Sequence, residues 1–469
     1  MHQPGARVSA MRPDIRTDTA ATRDAGVPLV RLIVLNWNGA DHLVRCLDAL
    51  CALDWPADRL DLVVIDNAST DGSDAIVADF PRVRLVRNDR NGGFVANNLA
   101  LRDLDGVDYV GLVNPDSFVE PGWLRALVAG LEADPGLGAV SARLLFADRF
   151  AEVSVESPTF DPPGPDPRAL GVRVSGVRVD GVDRWRDAQV AGGWGIEHGA
   201  DGGTFQWTAA SVTVRVPIGD GTRRPARVEI ALAAEAPKQV TVRSGGEVRT
   251  LDVGTARGWH EVPVGGEPVD IVNNAGSVII EGGYGADRGF LEPDTGQYDA
   301  PAEVFGWCGG SVLFRPAYLA DVGLFDEAFF LYYEDTDLSW RGRSRGWRYR
   351  YVPEARARHI HAASTGEASP VFQHYVERNR LLMLVKNAPA RLAAGAVVRY
   401  VLTTASYARR DVVVPLAGLH RPRPTVVIRR IRSFVDFLRL LPATLGERRR
   451  IRRAATVGDA ELLAWAVRR

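Results

Sequence analysis

Four acidic residues and one histidine stand where chemistry is most readily done: Asp66, Asp116, the adjacent Glu334 and Asp335, and His359. Asp116 closes "LVNPD", where an apolar run ends and a helix start follows. A carboxylate at such a strand tip, with a distant histidine, can hold Mg²⁺ or Mn²⁺ when a diphosphate supplies the remaining oxygens. The same residue can simply cap the following turn. Asp66 ends the strand-like run of "VVIDNASTDGS". A carboxylate there can accept the N3–H of a uracil or thymine ring. Asp71 and Ser73, just beyond it, suit an Asx turn and a helix cap. Of Glu334 and Asp335, one can take a proton from a hydroxyl as a general base. Paired acids at a helix N-terminus also complement its dipole. His359 can be a metal ligand or a buried, hydrogen-bonded histidine, and His361 competes for the same assignment.

Those residues need a scaffold, and residues 30–146 supply its pattern. Short apolar runs ("VRLIVLNW", "LDLVVIDN", "VRLVRN", "YVGLVNPD") alternate with stretches of helical spacing. Leu43, Leu47 and Leu50 share one helical face, and Trp123, Leu127 and Leu131 another. Such alternation predicts a parallel sheet covered on both sides, with ligands beyond the carboxyl ends of the strands. The polar clusters fall at those ends: Asn36-Trp37-Asn38, Asp66-Asn67, Asn91-Gly92-Gly93 and Asn114-Pro115-Asp116. "NDRNGGFVANN", with Asn98 as its last residue, offers flexible backbone and amides suited to closing over a ribose or phosphate. It is not a P-loop, because no Gly-Lys-Ser/Thr follows, and it is not the dinucleotide fingerprint either.

The texture then changes. Residues 151–170 read as a Pro/Asp linker. Residues 171–295 become glycine-rich and strand-like, the pattern of an antiparallel, jelly-roll-like β-sandwich. Trp185, Trp194, Trp207 and Trp259 lie within it and are expected to fill its core, with sugar stacking as the alternative. The α/β texture resumes over 296–387, so the sandwich is an insertion. Residues 388–469 read as helical. Ile428, Ile431, Val435, Leu438 and Leu441 form a stripe with arginines between them. Core packing, a face for a homo-oligomer and a helix in a membrane interface are all open for it.

Composition narrows the classes. The chain has 469 residues, 46% hydrophobic and 25% charged, with a formal net charge of −1, which is ordinary for a folded multidomain protein and gives no reason to expect nucleic acid as partner. From Arg391 onward there are 17 arginines and 5 acids. This basic region suits either an anionic partner such as phospholipid headgroups or packing on the acidic body. Cys46, Cys51 and Cys308 fit neither a zinc site nor a disulfide framework, so reduced thiols and a cytoplasmic location are expected. Residues 1–28 lack a signal-peptide core and read as a disordered leader. No run of 18 apolar residues predicts a spanning helix.

Taken in order, "VLNWNG", "VIDNASTDGS", "NGGFVANN", "LVNPD", "GWCGGSVLFR", "GLFDEAFFLYYEDTDLSWRGRSRGWRYRYVPEARARH" and "ERNRLLMLVKN" resemble the family 2 glycosyltransferases, most closely the non-processive, rhamnosyltransferase-like branch. The resemblance covers roughly 30–147 and 302–387. It implies a GT-A fold: a Rossmann-like, nucleotide-binding half at 29–150 and an acceptor and catalytic half at 296–387. It implies that Asp66 reads the base, with Asn36, Trp37, Asn38, Asn67, Asp71, Asn91, Gly93, Asn98 and Asn114 around the donor. Asp116 and His359 are implied as the divalent-metal site, with Asn114 in place of the first acid of the Asp-x-Asp motif. Asp335 is implied as the catalytic base beside Glu334, and Trp307, Gly309 and Gly310 as the acceptor pocket. The Gln-x-x-Arg-Trp motif of processive synthases is absent, so one sugar per encounter is expected. The implied activity is inverting transfer from a nucleotide-diphospho-sugar, dTDP-rhamnose or a UDP-sugar, to a glycan or polyprenyl-linked acceptor in cell-envelope polysaccharide synthesis. The inner face of the cell membrane is the expected place of work. The alternatives are a non-catalytic glycan-binding scaffold built on the sandwich, and a nucleotidyltransferase. The latter wants a Gly-rich loop and a lysine that "VLNWNGADH" lacks.

Overall fold

The computed structural model describes residues 26–164, 166–199, 203–360 and 369–467. Most of the expected leader and His361 therefore lie outside the described residues. Seven strands carry the central sheet: β1 (Val30–Asn36), β2 (Leu60–Asp66), β3 (Val83–Arg87), β4 (Tyr109–Val113), β5 (Leu137–Phe146), β6 (Ser311–Phe314) and β7 (Arg348–His359). Their spatial order is β7-β5-β6-β4-β1-β2-β3. β1 pairs in parallel with both β2 and β4, and β2 with β3. β6 runs antiparallel between β4 and β5, and β7 lies parallel to β5. The order reverses at β1, whose carboxyl end lies beside that of β4. A crevice at such a reversal is where open α/β sheets bind ligands.

Alternation along each strand feeds two cores. Leu32 and Val34 face helices α1 (Ala40–Cys51) and α2 (Trp123–Glu132), meeting Leu43, Leu47, Leu50, Trp123, Leu127 and Leu131. All six helical residues are essentially fully buried, as their spacing predicts. Ile33, Val63 and Ile65 face the opposite layer, with α3 (Glu334–Ser344) and α4 (Pro370–Asn387) supplying Leu338, Trp340, Leu381 and Leu384. Each fully buried leucine contributes roughly 1.5–3 kcal/mol before chain entropy is counted. Two further helices, α5 (Ala390–Ala408) and α6 (Thr425–Ala454), follow α4.

The sandwich begins earlier than the sequence suggests. Phe150–Glu156, which runs from the last residue of the expected nucleotide-binding half into the expected linker, is the middle strand of a five-stranded sheet, paired with Ser211–Pro217 and Lys238–Ser244. Its alternating Val153 and Val155 are fully buried in the sandwich core, which explains why it is strand and not linker. A six-stranded sheet centred on Arg173–Val179 and Val228–Ala233 faces it. The core between them is aliphatic, built from residues such as Val174, Val214, Ile230 and Val240. Of the four tryptophans only Trp185 packs against it, and all four are half-buried. Arg178 and Arg257 cover Trp259 at 3.9 and 4.7 Å, and Arg173 lies over Trp207. Cation–π contact and a partly wet ring satisfy an indole as well as a core position does.

The sandwich also ends earlier. Val272–Asn274 pairs with β5 of the central sheet, and a hairpin of Ser277–Ile280 and Tyr284–Asp287 follows. Residues expected to close the sandwich thus return to the α/β body. The hairpin gains a third strand from Ala466–Val467, paired in parallel with Ile279 and Ile280.

Candidate active site

A cavity of about 860 Å³ opens at the carboxyl ends of β1, β2 and β4. Trp37, Asn67, Asn91, Gly93 and Asn114 line its donor side, Asp116 and His359 its middle, and Glu334, Asp335, Gly309 and Gly310 its far side. Residues more than 300 positions apart in sequence, such as Trp37 and His359, therefore face one space.

Asn67 organises the first wall. Its Nδ2 donates to Asn91 Oδ1 at 3.0 Å and the Gly93 carbonyl at 3.2 Å, and its Oδ1 accepts from Asn88 and from the Gly92 N–H. Gly93 has φ +70°, and a Cβ there would lie 2.1 Å from the Phe330 carbonyl oxygen, so only glycine fits. The Phe94 N–H donates to that same carbonyl at 2.7 Å, tying the loop to the segment before Asp335.

Asp116 and His359 meet because Ser117–Val119 pairs with the end of β7, setting Ser117 opposite His359. His359 Nε2 lies 3.3 Å from Asp116 Oδ1, and Nδ1 lies 3.1 Å from Asn273 Oδ1. Asn273 accepts at Nδ1 and so aims Nε2 into the cavity, a common arrangement behind a metal-binding histidine. Burial lowers the affinity of His359 for a proton, but the Asp116 carboxylate outweighs it and raises the pKa overall. One carboxylate and one imidazole nitrogen fit Mg²⁺ or Mn²⁺ if diphosphate oxygens complete the shell. Among the described residues, no cluster of three His, Cys, Asp or Glu side chains holds a metal unaided.

Glu334 and Asp335 begin α3, where the dipole favours negative charge. Their environments separate them. Burial, then Asp335 itself, pushes Glu334 well above the usual carboxylate range, and among the described residues its Oε2 has no hydrogen-bond partner. Burial raises Asp335 to about 6, with Asp287 adding to the rise and the Thr336 N–H opposing it from 2.6 Å. Glu334 is therefore the more readily protonated of the two and Asp335 the poised one, a division typical of acid–base sites. Asp337 does structural work: it is fully buried, and Arg341, Lys386 and Asn387 all bond it.

Several sequence-level assignments fall outside the cavity. Trp307 is fully buried against Phe314 and Phe325, in the core and not in an acceptor pocket, because its flanking strand end turns it inward. Asn98 bonds both backbone groups of Phe325. Asn36 is buried and donates to Ser73 Oγ at 2.7 Å, while Asn38 accepts from the Thr70 N–H. Asp71 takes the capping role, accepting from Ala40 and Ser73 N–H groups. These polar tips hold loops in shape instead of lining the cavity. Asp66 is buried beside the lining Asn67 and accepts from the Ser69 N–H at 3.4 Å. Cys308 lines the cavity, but burial keeps its thiol well above the usual range and so unreactive.

Sequence reasoning missed Asp287, Asn273, Arg378 and Asn379. Asp287, on the hairpin, lines the cavity and accepts from Asn274 Nδ2 at 2.5 Å. Its charge raises the pKa of both His359 and Asp335, so it bears on both functional centres. Arg378 and Asn379 carried a signal, the "ERNR" run, but not a role.

Residues 32–163 match the family model described as Glycosyl transferase family 2. N-acetylglucosaminyl-diphospho-decaprenol L-rhamnosyltransferase of Mycobacterium tuberculosis is 44% identical over 73 residues, 15% of this chain and 24% of that protein. Succinoglycan biosynthesis protein ExoO of Rhizobium meliloti is 34% identical over 110 residues, 23% of this chain and 31% of that protein. The chain thus spans about a quarter to a third of these relatives. Among solved structures, a mannosyltransferase from Pyrobaculum calidifontis in complex with GDP-Man and Mn²⁺ aligns at a TM-score of 0.37 and 16% identity, covering 94% of this chain and 79% of that one.

Proposed function

We propose that this chain, which carries a family 2 glycosyltransferase domain, moves one sugar from a nucleotide-diphospho-sugar to an acceptor hydroxyl with inversion at the anomeric carbon. The observation that carries this reading is one cavity shared by the Asp116–His359 pair and the poised Asp335. Asp335 accepts the hydroxyl proton as the acceptor oxygen bonds to the anomeric carbon, and the bond from that carbon to the nucleoside diphosphate breaks. A divalent cation bound at Asp116 and His359 would neutralise charge on the departing diphosphate. Trp37, Asn67 and Asn91 would hold the donor, with Asp66 reading the base. Relatives named for a decaprenol-linked substrate and for a monoglucosyldiacylglycerol favour a lipid-linked acceptor.

Calorimetric titration with UDP, dTDP and GDP, in Mn²⁺ and in EDTA, tests the donor half. One nucleotide is expected to bind, and only with metal. Asp116→Ala should weaken that binding by about tenfold or more. Absence of binding by the folded protein would leave the glycan-binding scaffold as the better account.

A further inference from the structure

The apolar stripe on α6 is not a core face. Ile428, Ile431, Val435 and Leu438 are exposed, and only Leu441 packs inward. α5 shows the same outward character at Val398, Val401 and Leu402. α5 continues through a π-helical stretch (Arg409–Val413) and a last helical turn (Val414–Ala417) before residues 418–424 turn the chain into α6, and this tip carries Leu416 and Leu419, the latter 98% exposed. From Val398 to Arg439 the chain has nine arginines and two acids. Among the described residues, Arg409, Arg421 and Arg432 have no carboxylate partner.

The placement of that turn is informative. α6 runs alongside α4 in the same direction. Arg430 bonds Glu377, Ser433 Oγ lies 3.0 Å from His374, and fifteen residues later Arg448 bonds the carbonyls of Val385 and Ala388. α5 runs back antiparallel, with Tyr400 bonded to both Glu377 and Arg430. The turn joining α5 to α6 therefore extends past the beginning of α4. That same end of α4 lines the cavity through Val371, Phe372 and Tyr375.

We infer that α5, α6 and the turn between them form a docking surface for an anionic lipid bilayer, with Leu416 and Leu419 entering the interface. The apolar residues supply burial among acyl chains and the arginines attract acidic headgroups. Docking in this way sets the cavity end of α4 toward the membrane. A second copy of the chain is the weaker occupant, because two such faces would bring like charges together. The surface does not depend on the transfer reaction, so it can be measured without donor or acceptor.

The test is co-sedimentation of the full chain with phosphatidylcholine vesicles and with vesicles containing phosphatidylglycerol. Binding is expected only to the anionic vesicles. Two separate double variants, Leu416→Asp with Leu419→Asp and Arg409→Glu with Arg421→Glu, should each reduce it by about tenfold or more. All four sites are exposed, so both variants should keep the wild-type melting temperature. Failure of the wild type to bind, equal binding to neutral vesicles, or full binding by both variants would overturn the inference. A dimer in solution that Ile431→Asp dissociates would assign the face to a second copy instead.

Discussion

Asp335→Asn is expected to lower kcat by about 10²–10⁴-fold while leaving metal-dependent nucleotide binding unchanged. Burial and the Asp335 charge push Glu334 well above the usual carboxylate range, which favours its protonated form. Asp335 titrates at about 6, high enough to be a useful base and low enough to be ionised at pH 7. The kcat/KM profile should therefore fall on the acid side, with protonation of Asp335 near pH 6 and of His359, whose pKa Asp116 raises, both contributing. Glu334→Gln should preserve that limb. Asp287→Asn should move it to lower pH, because removing a nearby negative charge makes Asp335 easier to ionise. Loss of nucleotide binding in Asp335→Asn would place that residue on the donor and defeat the base assignment. An acid limb that Asp287→Asn leaves in place would separate Asp287 from the reacting centre.

The parts of this site that were legible in sequence share one property: they depend on local pattern. β1, β2 and β4 are buried on both sides and so appear as unbroken apolar runs, and their polar ends announce the sheet edge. Asp116 and His359 could be paired only through the family resemblance, since 243 positions separate them; the structure brings them to 3.3 Å through the Ser117–Val119 pairing. Burial direction was not legible. Trp307 precedes β6 closely enough to look like a pocket residue, yet its ring turns into the core. Strand-tip amides gave the same ambiguity: Asn67 and Asn91 line the cavity, while Asn36 and Asn98 lock loops. Asp287 could not be read at all. Its hairpin lies in glycine-rich sequence that resembles the sandwich, and it is completed by Ala466–Val467, nearly two hundred residues away.

Asn379→Leu tests how the base is held, and its expected effect is large on both stability and turnover. The segment before Asp335 bends sharply: Phe330, Tyr332 and Tyr333 all have positive φ, at 63°, 69° and 68°. Bulky residues in that region cost of order 1–3 kcal/mol each, and they persist only when surrounding bonds enforce them. Asn379 is fully buried, and its Nδ2 lies 2.8 Å from each of the carbonyls of Phe329, Leu331 and Tyr332. Arg378 adds bonds to the carbonyls of Ala328 and Phe329. Leucine has nearly the same volume but donates nothing, so buried carbonyls lose a donor without a cavity being opened. The expected loss is about 2–4 kcal/mol, read from the urea midpoint. Relaxation of the bend would also displace Asp335, which begins two residues after the last strained position. A displacement near 1 Å can cost about 10²-fold in rate, so kcat should fall by that order under conditions where the variant remains folded. Nucleotide binding should weaken less than kcat falls, because the strained segment touches the donor wall only where the Phe94 N–H and Gly93 meet the Phe330 carbonyl. A destabilised variant with wild-type kcat would mean that α3 alone positions Asp335 and that the strained loop serves only the fold.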